Sequence, residues 1–348
     1  MTLFSKIITA LKLIVFLLSV VFSTPSLAIE PLQVTSNPGE DFAPSIAPDG
    51  SFMVYVSDTS GNLDLWIKYL GMGIKPPDRR LTFHGTEDKS PAVSPDGKKV
   101  AFVSHRGDPR GDIYLLDLQN PGDPVVVVQG KGEDMDPAWS VDQNFIYFAS
   151  RETKTSIYKK NLKDGEKTLV LEMGGINLST SPDGQYLAFV TGNTQSDLKV
   201  LNLKTNFLIN VSQGPEIDVS PAWSKDVLFF ARYSDDTNLD GQLSIDDNPN
   251  IWKIDIKVDR VEKLHQLTDS SSYDFYPQPS ISNNLLFASH QKRSVDIWQL
   301  PKFGRIPFTQ DSSLSLKRIE DVCLEATYLC AMALGNHIRQ FPNSAGLA

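Results

Sequence analysis

The sequence predicts an all-β fold, a six-bladed β-propeller of four-stranded antiparallel blades, followed by a short C-terminal helical segment. Three observations lead there. A module recurs along the chain, anchored at Pro44, Pro91, Pro137, Leu178, Pro221 and Pro279, at intervals of 47, 46, 41, 43 and 58 residues. Each module carries short β-rich runs, and turn residues such as Pro48-Asp49-Gly50 and Pro95-Asp96-Gly97 separate them. Four short strands per 40–50 residues is the propeller period, because one blade cannot bury both faces alone and a closed ring of blades can.

The elements follow in order. Residues 1–28 read as a signal peptide: Lys6 and Lys12 precede an apolar run from Leu13 to Phe22, and Ser26 and Ala28 stand at −3 and −1 of a cleavage site. A membrane anchor is the alternative, but Pro25 interrupts the uncharged stretch Leu13–Ile29, which is at the lower edge of the roughly 17–25 residues a spanning helix needs. No Cys follows the apolar core, which argues against a lipoprotein. Removing the leader moves the formal charge from −9 to −11. That acidic balance, without a basic cluster, argues against nucleic acid and anionic lipid as partners and predicts no stable membrane insertion after cleavage.

Residues 29–310 are the propeller. In each module the inner strand leads to a second run, such as Val54–Ser57, Ala101–Ser104 or Tyr147–Ser150, then to a third, such as Asp64–Trp66, Asp112–Tyr114 or Asn250–Trp252. A fourth short run follows, as in Arg80–Thr82 or Gln266–Thr268. Closing the ring needs an outer strand from one terminus, and Leu32–Thr35 and Arg305–Thr309 both qualify. Trp139 and Trp223 fall on inner strands and are expected in the core.

The module Leu-Thr … Asp-x-x-Pro-x-Trp-Ser-Pro-Asp-Gly … Ala-Phe-x-Ser … Asp-Ile-Tyr resembles the repeat of the TolB-like, WD-type propellers, over residues 31 to about 305. The resemblance implies a periplasmic or secreted propeller that binds other proteins. TolB itself carries an α/β domain ahead of its propeller. Here the first module follows the expected cleavage site within a few residues, so partnership with the peptidoglycan-associated lipoprotein is not carried over.

The longest interval holds Asp236-Thr-Asn-Leu-Asp-Gly-Gln-Leu-Ser-Ile-Asp-Asp247. Oxygen ligands fall at calcium-loop positions 1, 3 and 5 as Asp236, Asn238 and Asp240. Gly241 makes the sharp turn, the Gln242 carbonyl serves position 7, Ser244 position 9 and Asp247 position 12. Six to eight hard oxygens wrapped round one point suit Ca2+, and the flanking strands make this a hairpin connection in blade five. A structural calcium ion is therefore expected there. A solvated acidic turn is the alternative.

A second recurring feature is an acid three residues before the module's Pro: Asp41, Asp88, Asp134 and Asp218, with Asp274 three before Pro277. Glu40, Glu87 and Glu133 stand beside the first three, and blade four lacks the acid. One reading is a negative funnel at the channel mouth for a basic segment or cation. The other is that each Asp bonds neighbouring backbone N–H groups.

Catalytic constellations are absent from the sequence: no Gly-x-Ser-x-Gly elbow, no His-Glu-x-x-His, no P-loop and no dinucleotide fingerprint. The five His residues, 84, 105, 265, 290 and 337, show no ligand spacing. No catalytic residue is assigned. The expected function is an exported scaffold binding a protein or peptide, not an enzyme. A hydrolase- or lactonase-type propeller acting from the acids at the channel mouth is the rival, and a cell-wall glycan binder using Trp66, Trp252 and Trp298 is the third reading.

Residues 311–348 change character. Leu316, Ile319, Val322, Cys323, Ala326, Leu329, Cys330, Ala333 and Leu334 follow helical spacing, and the end resembles the close of a tetratricopeptide-type helix pair. Cys323 and Cys330 on one helix would lie about 10.5 Å apart, beyond the roughly 7 Å a disulfide spans.

Overall fold

The computed structural model describes residues 31–301, apart from 173, 192–195, 258–259, 262–263, 270–271 and 292. The leader, the second closing strand Arg305–Thr309, both cysteines and the helical tail lie outside the described residues. Every regular element described is a strand, and no described helix is long and apolar enough to cross a membrane.

Six antiparallel sheets form six blades, in which the first three strands pair in sequence order. Blade one is Asp41–Ile46, Phe52–Ser57, Asp64–Tyr69 and Arg79–Arg80. Blade two is Asp88–Val93, Lys99–Ser104, Asp112–Asp117 and Val125–Val128. Blade three is Glu133–Trp139, Phe145–Arg151, Thr155–Asn161 and Lys167–Leu171. Blade four is Ile176–Thr180, Tyr186–Thr191, Asp197–Asn202 and Leu208–Asn210. Blade five is Ile217–Ser224, Val227–Tyr233 and Asn250–Lys257, its outer edge divided between Arg260–Val261 and His265–Gln266. Blade six is Asp274–Pro279, Leu285–Ser289 and Asp296–Leu300.

The fourth strand of blade six is Leu32–Gln33, pairing Leu32 with Gln299 and Gln33 with Trp298. The ring is thus closed by the first described strand, one of the two segments the sequence offered.

The core lies between blades. Tyr55, Phe102, Phe148, Phe189, Phe230 and Phe287 occupy the same position of the second strand in successive blades, and all are fully buried. Burying one such ring stabilises the fold by about 1.5–3 kcal/mol. Val56 and Phe102 share a core cluster across blades one and two, Val190 and Phe230 one across four and five, and Met53 and Leu286 one across six and one. Trp139 and Trp223 are buried as expected, and each ties its blade to the preceding one: Trp139 Nε1 donates to the Ala92 carbonyl at 2.8 Å and Trp223 Nε1 to that of Ser179 at 3.1 Å. Trp66, Trp252 and Trp298 pack into inter-blade clusters rather than forming an open aromatic platform.

Each inner strand contains a bulge. Pairing jumps from Phe42 to Ser45, Lys89 to Ala92, Met135 to Ala138, Ile176 to Ser179, Val219 to Ala222 and Phe275 to Gln278. The module's Pro sits inside the bulge, where no ladder N–H is required. By this register the blade-six counterpart of Pro44 is Pro277, not Pro279, which corrects the sixth anchor of the repeat by two residues.

Candidate functional site

The inner-strand aspartates are placed first. Asp41, Asp88 and Asp274 begin their inner strands, Asp134 and Asp218 stand second in theirs, and all five are essentially fully buried. Each stands opposite the last residue of the repeated Ala-Phe-x-Ser run or its equivalent: Ser57, Ser104, Ser150, Arg232 and Ser289. Ser150 Oγ donates to Asp134 at 2.6 Å and Ser289 Oγ to Asp274 at 2.5 Å. Arg106 donates to Asp88 at 2.8 Å, and Asn37 to Asp41 at 2.9 Å. In blade five Arg232 replaces the serine and grips Asp218 with two bonds of 2.7 and 2.8 Å. These carboxylates are enclosed within the blades rather than exposed on the surface. Burial pushes Asp41 and Asp134 above the ordinary carboxylate value.

The neighbouring glutamates are more accessible. Glu40 accepts from the Val295 N–H at 2.6 Å across the closing seam, Glu87 lies 3.9 Å from Lys89, and Glu133 pairs with Arg151. Blade four lacks its acid for a steric reason. Gly175 occupies that position, and a Cβ there would run into the Val190 carbonyl oxygen.

The blade-five loop emerges at the same end as these residues, because Arg232 pairs with both Asp218 and Asn250. Its predicted ligands are hydrogen-bonded to the loop itself. Asp236 accepts from Asp240 N at 3.1 Å and Gly241 N at 2.8 Å, Asn238 Oδ1 from Asp240 N at 2.9 Å, and Asp240 from Gln242 N at 2.8 Å. Ser244 Oγ accepts from Asp246 N at 3.1 Å. Asp247 is fully buried and caps the loop, accepting from Ser244 N and Thr237 N at 2.8 Å and from Asn238 N at 3.1 Å. The Ser244 N–H, then those of Asn238 and Thr237, hold its carboxyl below the ordinary range. Gly241 has a φ of 85°, as the sharp turn requires. Among the described residues no three His, Cys, Asp or Glu side chains converge as a preformed metal cluster. His84, His105 and His290 stand on separate loops and His265 on the outer edge of blade five, while His337 lies outside the described residues.

The structure adds a site that the sequence reading missed. The residue before each module Pro, or before its counterpart Leu178, is Ala43, Ser90, Asp136, Asn177, Ser220 and Tyr276 in turn, and all six have a φ of 47–54°. They line the central channel, around a cavity of about 110 Å³. The bulge turns each of these residues inward, and adjacent blades are stitched through them. Asn177 N donates to Asp136 Oδ2 at 2.7 Å, and Ser220 N to Asn177 Oδ1 at 3.3 Å. A signal was present in the sequence: this is a position in the module whose chemistry changes at almost every blade while its neighbours repeat.

A closed ring of six four-stranded blades, with a channel lined by one bulged residue from each, defines this protein as a six-bladed β-propeller. Residues 82–192 match the family model described as "TolB beta propeller domain". The chain is 29% identical over 117 residues to the Tol-Pal system protein TolB of Wolinella succinogenes, a stretch covering 32% of this chain and 27% of that relative. Among solved structures, one assigned as TolB from Agrobacterium tumefaciens superposes with a TM-score of 0.54 at 21% identity, covering 66% of this chain and 82% of that one. An oligogalacturonate lyase from Vibrio parahaemolyticus superposes with a TM-score of 0.51 at 13% identity, covering 77% of this chain and 92% of the lyase. At these identities the structures share the fold alone. Over residues 82–192 the propeller is similar to that of TolB.

Proposed function

We propose that this protein is an exported binding scaffold, periplasmic or secreted, whose propeller engages a protein or peptide partner through the channel. The observation that carries this reading is the channel itself. Six equivalent backbone positions present different side chains to one cavity, which is how a repeat fold acquires a specific surface without losing its packing. The match to the TolB propeller model and the likeness to a Tol-Pal system protein support a role in binding. The leader-like residues 1–28 support export.

The blade-five loop is proposed to hold a structural calcium ion through Asp236, Asn238, Asp240, the Gln242 carbonyl, Ser244 and Asp247. The spacing supports it, as do the loop's own bonds, which gather the side-chain oxygens along one turn. Each oxygen that accepts one N–H keeps a second lone pair for a cation.

The test is capture of envelope proteins on the immobilised full chain, with calcium and again with a chelator. A saturable partner supports the scaffold, and its loss in chelator places the loop at the interface. Retention of nothing in either condition overturns the binding reading and directs attention to hydrolase and glycan assays.

A further inference from the structure

The channel ring brings unlike chemistry to one point. Holding an L-residue in the left-handed region costs about 1–2 kcal/mol, and Ala43, Ser90, Asp136, Asn177, Ser220 and Tyr276 all bear that cost in the same place. Strain repeated six times around one cavity is what a fold tolerates where side chains must point at a ligand.

Asp136 is the acid of this cavity, and among the described residues no Lys, Arg or His lines it. Its carboxylate meets the Asn177 N–H at 2.7 Å and the Ser90 hydroxyl at 3.5 Å. Two neutral donors complement poorly a half-buried carboxylate at the cavity wall. Burial pushes the Asp136 carboxyl up; burial and then the charge of Asp136 push the Tyr276 hydroxyl up to about 12. The cation whose field reaches Asp136 is Lys89, which faces Glu87 at 3.9 Å, and Glu133 adds a further negative charge.

We propose that the channel ring is a receptor for a primary ammonium group on an unbranched alkyl stem, with Asp136 as its counter-ion. This rests on the binding reading and names its chemistry: a lysine side chain of the partner enters the channel. The cavity of about 110 Å³ matches a few water volumes of roughly 30 Å³ each, the size of an aminomethyl head. An ammonium carries three donors, which suit the carboxylate and the Ser90 and Ser220 hydroxyls around it. Tyr276, stacked on Phe42 with ring centroids 6.2 Å apart, offers an aromatic wall. Pro44, Pro91, Pro137, Leu178 and Pro221 form an apolar collar one residue further along each strand, a lining for methylenes. A guanidinium fits less well. Its planar fork is broader than an ammonium head, and the cavity is only about 110 Å³.

The test is calorimetric titration of the full chain with n-butylammonium, with n-butanol as the neutral control. Butylammonium binds and butanol does not. Asp136→Asn, which keeps an oxygen for the Asn177 N–H, weakens the binding by about tenfold or more. Ala43→Met, which fills the cavity and leaves the carboxylate intact, abolishes it, and this variant serves even if Asp136→Asn does not fold. Equal binding by wild type and Asp136→Asn, equal binding of butanol, or no binding of butylammonium overturns the proposal. Spermidine and a lysine peptide, compared with its acetyl-lysine form, separate a free amine from a partner's side chain. A captured partner held equally well by Asp136→Asn overturns the lysine assignment while leaving the scaffold reading intact. Butylammonium binding with no captured partner overturns the scaffold reading, and the partner's lysine with it, while leaving the ammonium site intact.

Discussion

Gln33 donates from Nε2 to Oδ2 of Asp296 at 2.9 Å, joining residues 263 positions apart. Two positions on, Thr35 Oγ1 accepts from the Ile297 N–H at 2.9 Å. The same hydroxyl-to-third-strand bond recurs at Thr82 with Leu65, Ser212 with Leu198 and Thr268 with Ile251. Elsewhere in the ring it joins an outer strand to its own blade. Between Thr35 and Ile297 it joins the two ends of the propeller.

The closing seam should therefore be sensitive to a single hydroxyl. Thr35→Val keeps the shape and leaves the buried Ile297 N–H without its acceptor, so stability should fall by about 1–3 kcal/mol. Urea unfolding of the variant against wild type checks this, and an unchanged midpoint would show that the seam does not depend on the bond.

Blade five should not tolerate loss of one half of its ion pair. Asp218→Ala leaves Arg232 buried without its counter-charge and should cost about 3–5 kcal/mol. Arg232→Ser restores the Asp–Ser pairing of blades three and six and should cost distinctly less. Denaturant unfolding of the two variants and their double mutant measures the order, and the reverse order would contradict this account.

Gly175 should be irreplaceable for steric reasons. Gly175→Ala drives a Cβ against the Val190 carbonyl oxygen, and overpacking of that kind should cost about 1–3 kcal/mol. A thermal melt decides, with a neutral substitution as the contrary result.

The dependence on pH should change sign. Asp41, Asp134 and Asp136 are pushed up by burial, so the folded state holds their protons more tightly than the unfolded chain does. Where that difference acts, stability rises as pH falls from neutrality toward the ordinary value of 3.8. Asp49, Asp96 and Asp142, in the turns, are pulled down chiefly by Ser51, Ser94 and Ser140, so their contribution is lost as pH falls through 3.8 and below. Urea midpoints across this range should pass through a maximum in mild acid. A steady decline from neutral pH would show that the buried aspartates titrate normally.

Calcium should raise the melting temperature of the wild-type chain, and a chelator should reverse the effect. Asp236→Ala, which removes the carboxylate beneath Gly241, should abolish the response. Equal melting with calcium and with chelator would leave the loop a hydrogen-bonded turn.

Much of this protein was legible in its residues. The turns were, because Pro95-Asp96-Gly97 carries its own geometry: Asp96 accepts from Ser94 Oγ at 2.6 Å and from Lys98 N at 3.1 Å, and Gly97 takes a φ of 70°. The aromatic of each second strand was also legible, since a strand's alternation records which face is buried. Blade number and blade order followed from counting modules. These are local properties, fixed by the chemistry of neighbours in the chain.

The channel was decided only in three dimensions. Asp136 and Asn177 are ordinary polar residues in sequence, and the Pro after Asp136 suggests plain extended chain there. A bulge turns both inward, and ring closure brings six such positions from six blades to one cavity. The fate of Asp41, Asp88, Asp134, Asp218 and Asp274 was likewise tertiary. Their spacing is compatible with a surface funnel and with turns bonded to backbone N–H groups; folding buries all five and sets Ser150 on Asp134, Ser289 on Asp274, Arg232 on Asp218, Arg106 on Asp88 and Asn37 on Asp41. Sequence determined what each blade is made of. The closing of the ring determined which side chains meet, because that depends on distances between residues that the chain itself keeps far apart.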